Sequence, residues 1–259
     1  INHTFAECKR LGKPALITFM TAGFPSPDET PAILLGMQAG GADIIELGLP
    51  VSTPTADGPT IQEASKQAID NGVTAQSTMQ MLRDARSMGL HIPVILMGYY
   101  ASVVEYGDAR MVADCRDAGF DGFLIVDMPC QKAVGFRQLC LESGLSYIPI
   151  IPPSANDSAV ADLCAMTDSF IYLISRVGVT GQKTQFDREF FQRVSRVKYL
   201  AGSLPVAVGF GIRTRGQVRA VGAVADGAVI GSRIVSELAA SPLGSRAQAV
   251  KRFCEMVKG

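Results

Sequence analysis

The stretch Asp43-Ile-Ile-Glu-Leu-Gly-Leu-Pro50, continued by Val51-Ser-Thr-Pro-Thr-Ala-Asp-Gly-Pro-Thr-Ile-Gln62, carries the reading of the whole chain. Its first half is almost unbroken in apolar residues, Ile44, Ile45, Leu47 and Leu49, the pattern of a strand covered on both faces. Pro50, Pro54, Gly58 and Pro59 then forbid regular structure and predict a stiff, exposed loop. Glu46 sits inside the apolar run, where a carboxylate is costly unless it is paired or has a task. Asp57 hangs in the loop, eleven residues further on. One acid is therefore fixed on a strand and the other is carried by a segment that can fold over it. Carboxylates held in different environments are how a fold separates acid and base roles. The competing reading ties Glu46 to an Arg or to backbone amides and makes Asp57 an ordinary turn residue.

Outward from this stretch, the same strand-then-break pattern recurs. Eight apolar, β-branched segments are readable: Ala15–Gly23, Asp43–Pro50, Pro93–Tyr100, Gly122–Pro129, Ser146–Pro153, Phe170–Val177, Pro205–Ile212 and Gly227–Val235. Each ends in a Gly/Pro-rich break, and amphipathic helical patterns lie between them. Alternating strand and helix predicts a parallel sheet with helices outside. Eight such units in 259 residues predict an α/β fold, a (β/α)8 TIM barrel forming a single domain. Most segments start 22 to 35 residues apart, but 50 separate the second from the third. The excess marks an enlarged loop after strand two, at about residues 50–60, and a candidate lid.

Helix ends are also legible. Ser26-Pro-Asp-Glu29 resembles a capping box, with Thr30-Pro31 as a competing start one turn later. Gly144 suits a left-handed helix end. Val250, Phe253, Cys254 and Val257 form one stripe of a final helix over Arg246–Lys258.

Composition narrows the function. Lys plus Arg and Asp plus Glu balance at 24 each, so nothing argues for a nucleic-acid or membrane surface. No apolar run approaches the roughly 18 residues of a membrane span, and no signal peptide is expected. The chain begins at Ile1 rather than Met, as a trimmed or excised chain would. Six cysteines, at 8, 115, 130, 140, 164 and 254, lack CxxC spacing and read as reduced, mostly buried thiols of a cytosolic-type protein.

Strand ends carry the chemistry of such a barrel. Ser175-Arg-Val-Gly-Val-Thr-Gly181, Gly209-Phe-Gly-Ile212 and Ile230-Gly-Ser-Arg-Ile234 are glycine-bearing loops after segments six, seven and eight. Glycines admit backbone amides to an anion, and the helix start at Ser232 adds its dipole, which predicts phosphate binding. His3 and His91 are the only histidines, and neither sits at a strand's C-terminal end, so an imidazole-held metal site is not expected. No lysine ends a strand, which disfavours a Schiff base, and no dinucleotide fingerprint appears. Acid/base chemistry by Glu46 and Asp57 on a phosphorylated substrate remains. Phe19, Tyr99, Tyr100, Tyr172 and Phe210 are aromatic candidates for an apolar ring pocket or for core packing. Asp127 positions a group or caps the next turn.

These residues resemble a known family. Glu46-Leu-Gly-x-Pro50 with Ala56-Asp-Gly-Pro-Thr-Ile-Gln62, Ser175-Arg-x-Gly-Val-Thr-Gly181, Gly209-Phe-Gly211 and Gly231-Ser232 are similar to the signature of tryptophan synthase alpha subunits, from about Phe5 to the C-terminus. The resemblance implies a (β/α)8 lyase that splits indole-3-glycerol phosphate into indole and glyceraldehyde 3-phosphate, in the cytoplasm, or in a plastid if a transit peptide has been removed. By it, Glu46 is the general acid/base, Asp57 holds and deprotonates the indole nitrogen, and Tyr172 orients the substrate or Glu46. Thr180 links the sixth loop to Asp57. Phe19, Tyr99 and Phe210 line the indole pocket. Gly181, Gly211, Gly231 and Ser232 hold the phosphate. No metal and no cofactor are implied in this chain; pyridoxal phosphate is expected only in a beta partner or a fused beta domain.

Two positions depart from the family pattern. Thr53 stands where an Asp is usual, and Ala101-Ser102 where Asn-Pro is usual; both loops face the beta subunit in the family. Three other readings stand beside the coupled lyase. One is a free-standing lyase releasing indole. Another is a weakly active barrel that mainly binds and activates a beta subunit. The last is a different phosphate-binding barrel enzyme, such as an isomerase.

Overall fold

Alternation of side chains across the strands is what places the site. The structure is a computed structural model that describes residues 1–174, 186–209 and 211–259. Its strands are β1 (Ala15–Thr21), β2 (Ile44–Gly48), β3 (Val94–Gly98), β4 (Gly122–Ile125), β5 (Ser146–Tyr147), β6 (Ile150–Ile151), β7 (Ile171–Ile174), β8 (Val206–Gly209) and β9 (Gly227–Ile230). All pair in parallel, in the order β5-β4-β3-β2-β1-β9-β8-β7-β6. The two edge strands of that order are neighbours in sequence. The Ile148 amide still donates to Phe123 O on the β4 side at 2.8 Å, while Pro149 O accepts from Tyr172 N on the β7 side at 3.1 Å. The fifth predicted segment is thus one bent barrel strand that turns from one neighbour to the other at Pro149, and the sheet closes through it.

Around the barrel run α1 (Asn2–Arg10), α2 (Thr30–Ala39), α3 (Pro59–Asp70), α4 (Ala75–Ser87), α5 (Tyr100–Tyr106), α6 (Asp108–Ala118), α7 (Cys130–Glu142), α8 (Asp157–Cys164), α9 (Arg188–Ala201), α10 (Arg215–Gly222), α11 (Ser232–Ala240) and α12 (Arg246–Lys258). The long interval between the second and third segments is filled by two helices, α3 and α4, rather than by loop alone. The final helix lies where its apolar stripe predicted and packs against α2. Gly144, just past α7, takes φ +72°, the left-handed end expected of it. No described helix is long and apolar enough to cross a membrane. Five of the six cysteines are buried and Cys130 is exposed; all are free.

The capping box expected at Ser26 does not form. Pro27–Glu29 is a short 3-10 turn without a side-chain cap, and the α-helix starts at Thr30, the competing position. The reason is long-range. The Glu29 carboxylate is taken by Arg246 and by the Gly244 amide, 215 residues away in sequence, so it is not available to its own helix.

The barrel interior is filled from alternate positions of the strands. Ile17, Ile44, Ile95, Leu124, Ile148, Tyr172, Ala207 and Val229 form one cluster, plugged at the bottom by Phe5 and Cys8 of α1. The opposite faces of the strands pack on the surrounding helices. At the N-terminal rim, an Asp beside one strand's start accepts an amide at the start of its neighbour. Asp43 takes Leu16 N at 2.7 Å, Asp121 takes Val94 N at 2.8 Å, and Asp226 takes Val206 N at 2.7 Å. Each carboxylate also pairs with a cation from a helix: Lys258, Arg86 and Lys198 respectively. These clamps tie barrel to shell away from the mouth.

Candidate active site

Two residues above the interior cluster, the alternation brings Phe19, Glu46, Met97, Gly209 and Gly231 to the C-terminal mouth. Phe19 and Glu46 are register partners on β1 and β2, and Glu46 faces Ile95 on β3. Glu46 is 1% exposed, and its Oε1 finds no hydrogen-bond partner among the described residues. No described arginine or backbone amide ties it down. Desolvation alone pushes its carboxyl up to about 8, so it is protonated at neutral pH.

Asp57 reaches the same mouth from the loop between β2 and α3, and it is 6% exposed. Helix α3 organises that loop. Ser65 Oγ accepts from Val51 N and donates to Val51 O, both at 2.8 Å, and Gln62 Nε2 donates to Asp57 O at 2.8 Å. The Asp57 amide closes a turn onto Pro54 O at 3.1 Å. Burial raises the Asp57 carboxyl above its ordinary value, opposed by the hydrogen bond from Tyr99. Tyr99 Oη donates to Asp57 Oδ2 at 2.8 Å and accepts from Ala56 N at 3.1 Å. Expected in the ring pocket, Tyr99 instead holds the acidic loop, from an adjoining recess that shares Phe19, Asp57, Ile61 and Met97.

Tyr172 on β7 is buried, and burial first, then the charges that Glu46 and Asp57 carry when ionised, raises its hydroxyl well above the ordinary tyrosine value. Its ring crosses the position of Gly209: a Cβ there would lie 2.0 Å from Tyr172 Oη. Gly48 plays the same part for Phe19, with a Cβ 2.7 Å from the ring. Two glycines at strand ends thus leave room for two aromatic side chains to approach the backbone closely.

Glu46, Asp57, Tyr172 and Phe19 line one recess of about 540 Å³, its open mouth included. Its far wall is formed by Gly211, Gly231 and Ser232. Gly211 has φ +78°, a conformation that disfavours any side chain. Gly231 caps the N-terminus of α11 and Ser232 opens it, so that helix end borders the recess. The predicted residues Glu46, Asp57, Tyr172, Phe19, Gly211, Gly231 and Ser232 therefore come together; Thr180, Gly181 and Phe210 lie outside the described residues. Asp127 is not seen to cap the turn that follows it; it accepts from Tyr100 N, the first amide of α5, at 2.6 Å. Among the described residues no group of three His, Cys, Asp or Glu side chains is placed to hold a metal ion.

Sequence reasoning missed Ile61, Met97, Ile212, Arg213, Val229 and Arg233, which also line the recess. Met97 and Val229 share the inward parity of their strands and were recoverable from it. Arg233 lay inside the glycine-bearing stretch, where the glycine pattern overshadowed it.

Fold and site define a class: a (β/α)8 barrel with two buried carboxylates at the C-terminal mouth, facing a glycine-rich wall. Residues 5–258 match the family model described as tryptophan synthase alpha chain. The chain belongs to that family. It is 42% identical over 259 residues to the tryptophan synthase alpha chain of Azoarcus sp. (strain BH72), covering 94% of that protein. It is 44% identical over 255 residues to the tryptophan synthase of Saccharomyces cerevisiae, of which it spans only 36%. Among solved structures, tryptophan synthase from M. tuberculosis in its aminoacrylate-bound form matches with a TM-score of 0.87 at 26% identity, covering 99% of this chain and 96% of that one. A mutant alpha subunit from Pyrococcus furiosus matches with a TM-score of 0.86 at 30% identity, covering 95% of this chain and 98% of that one.

Proposed function

We propose that this chain cleaves indole-3-glycerol phosphate to indole and glyceraldehyde 3-phosphate, the alpha reaction of tryptophan biosynthesis. The observation that carries the reading is Glu46: a buried carboxyl, pushed up to about 8 by desolvation, whose Oε1 has no hydrogen-bond partner among the described residues, in one recess with Asp57. Indole leaves only if its ring carbon is protonated first. Glu46 gives its proton to that carbon, and the ring nitrogen becomes positive while Asp57 holds its N–H. The bond between ring and glycerol carbon then breaks, and its electron pair returns to the ring and neutralises the nitrogen. The glycerol hydroxyl on the departing carbon loses its proton to the Glu46 carboxylate and becomes the aldehyde. Protons and electrons balance, and Glu46 ends as it began. Tyr172 packs beside both acids and orients the ring; Phe19 covers it. Gly211, Gly231 and Ser232 cradle the phosphate; the roles that the family resemblance implies for Thr180, Gly181 and Phe210 fall on residues outside those described. No cofactor takes part in this chain; pyridoxal phosphate belongs to the beta subunit of the family.

Thr53, Ala101 and Ser102, the positions that depart from the family pattern, line a single surface groove with Tyr99 and Asp127. That grouping supports a beta-facing surface whose contacts are altered. The test is indole release by the isolated chain, with and without a tryptophan synthase beta subunit. Slow release that rises strongly with beta supports the coupled lyase; fast release unchanged by beta supports the free-standing one. No release in either case overturns the reading.

A further inference from the structure

Tyr99 holds Asp57, and the loop after β4 holds Tyr99. Two consecutive residues of that loop grip the backbone on either side of it. Val126 N donates to Gly98 O at 2.9 Å, one step beyond the Gly98–Ile125 pair of the β3–β4 ladder. Asp127 Oδ1 accepts from Tyr100 N at 2.6 Å. Tyr99 lies between these two anchors, as the N-cap residue of α5 with no side-chain cap of its own. The Tyr100 amide opens that helix and has no acceptor within it, so the Asp127 carboxylate supplies the cap from a neighbouring loop. At the far end of the same side chain, Tyr99 Oη donates to Asp57 Oδ2 and accepts from Ala56 N at once. A hydroxyl with two fixed partners tolerates little displacement, because hydrogen bonds weaken steeply with angle. The backbone at Tyr99 therefore sets the quality of the bond at Asp57.

Asp127 is exposed and lines neither of the recesses that Asp57 lines. The titratable and charged groups that do are Glu46, Tyr172, Tyr99, Arg213 and Arg233. Among the described residues, the connection from Asp127 to Asp57 runs through Tyr99. Burial and then the Asp57 charge raise the Tyr99 hydroxyl, and the Asp127 charge adds to that, so position and charge have to be told apart.

We propose that Asp127 is a positioning residue: by fixing the backbone at Tyr99 and Tyr100 it keeps the Tyr99 hydroxyl in register with Asp57 and the Ala56 amide. The proposal deepens the cleavage reading and rests on it for the task of Asp57. Without the carboxylate, the Tyr100 amide turns to water, which satisfies the amide but ties α5 to nothing. The Tyr99–Asp57 bond then loosens, and the influence that favours the Asp57 carboxylate weakens.

The experiment titrates the Asp57 carboxyl by carboxyl-carbon NMR of the aspartate-labelled chain, assigned by its loss in Asp57→Asn, and records the pH profile of kcat. The proteins are the native chain, Asp127→Ala, Asp127→Asn, Tyr99→Phe, and Asp127→Ala combined with Tyr99→Phe. In Asp127→Ala, Asp57 titrates at a higher pH than in the native chain and the acidic limb of kcat moves up with it. At neutral pH kcat falls about threefold with KM within about twofold, a fraction of one charged hydrogen bond. Asp127→Asn loses the charge but keeps an acceptor oxygen, and stays close to native. With Tyr99→Phe present, Asp127→Ala adds nothing further. An unmoved Asp57 titration in Asp127→Ala overturns the proposal, whether or not urea denaturation shows a loss of stability. So does an Asn variant that matches Ala, which makes the effect one of charge, or a full Ala effect in the Tyr99→Phe background. A moved Asp57 titration in a chain that releases no indole keeps this inference and removes the proposed reaction. Indole release with an unmoved titration does the reverse.

Discussion

Tyr99 Oη donates to Asp57 Oδ2 at 2.8 Å while accepting from the neighbouring Ala56 amide at 3.1 Å. A residue at the end of β3 thereby fixes both the position and the ionisation of an acid borne on the loop after β2. Burial raises the Asp57 carboxyl, and the Tyr99 bond works against that rise by favouring the carboxylate. In Tyr99→Phe the opposing influence is gone, so Asp57 protonates at a higher pH. The acidic limb of the kcat profile moves upward, and kcat at neutral pH falls roughly tenfold, the worth of one charged hydrogen bond. A pH–rate profile with an unmoved acidic limb would show that Tyr99 only packs.

Glu46→Gln removes both catalysis and a pH-dependent penalty. The folded-state value of about 8 lies above the ordinary value of 4.5. Between these, the folded state holds a proton that the unfolded state has lost, so native stability falls as pH rises through this window. The penalty is absent below about pH 4.5 and complete above about pH 8. Gln carries no such penalty. Indole formation is expected to fall at least 10²- to 10⁴-fold, while the melting temperature at pH 8.5 rises above native by an amount that vanishes below about pH 4. Equal pH slopes of Tm in the two proteins would contradict a buried neutral Glu46.

Asp57→Asn leaves a side chain that still accepts from Tyr99 but cannot carry negative charge beside the ring nitrogen. Cleavage is expected to drop by about 10²-fold or more, with glycerol phosphate affinity unchanged, since the two lie at opposite ends of the recess. Assays of turnover and of glycerol phosphate binding on the same preparation separate these effects.

Gly209→Ala places a Cβ 2.0 Å from Tyr172 Oη and 2.4 Å from its ring carbon. Overpacking of this kind costs about 1–3 kcal/mol and displaces Tyr172 from the mouth. Urea denaturation should report the loss, and Tyr172→Phe in the same chain should restore part of it by removing the atom that clashes most. No recovery in the double variant would place the strain elsewhere.

The rim clamps give a stability prediction independent of catalysis. Asp121→Ala removes the acceptor of Val94 N and the partner of Arg86 at once. A loss of about 1–3 kcal/mol is expected from urea denaturation, with kcat unaffected. Removing a lone surface pair such as Glu7–Arg10, both ends of which are well exposed, should leave stability nearly unchanged by the same measurement.

Local signals were enough for the strands, for the last helix and for the left-handed end at Gly144, because each depends on neighbours a few residues away. The same holds for the acidic strand and loop: apolar periodicity isolates Glu46, and the proline-rich break isolates Asp57. Long-range partners decided the rest. Glu29 looked like a cap until Arg246 claimed it, and no pattern near Asp43, Asp121 or Asp226 announces that each holds an amide at the start of a neighbouring strand. Tyr99 reads as a pocket aromatic in sequence, whereas the folded loop brings Asp57 to its hydroxyl. The chain by itself determined which residues alternate, break and cap, since those are properties of short backbone segments. Closure of the barrel decided which side chains share a dry recess, and through desolvation it decided that Glu46 keeps its proton.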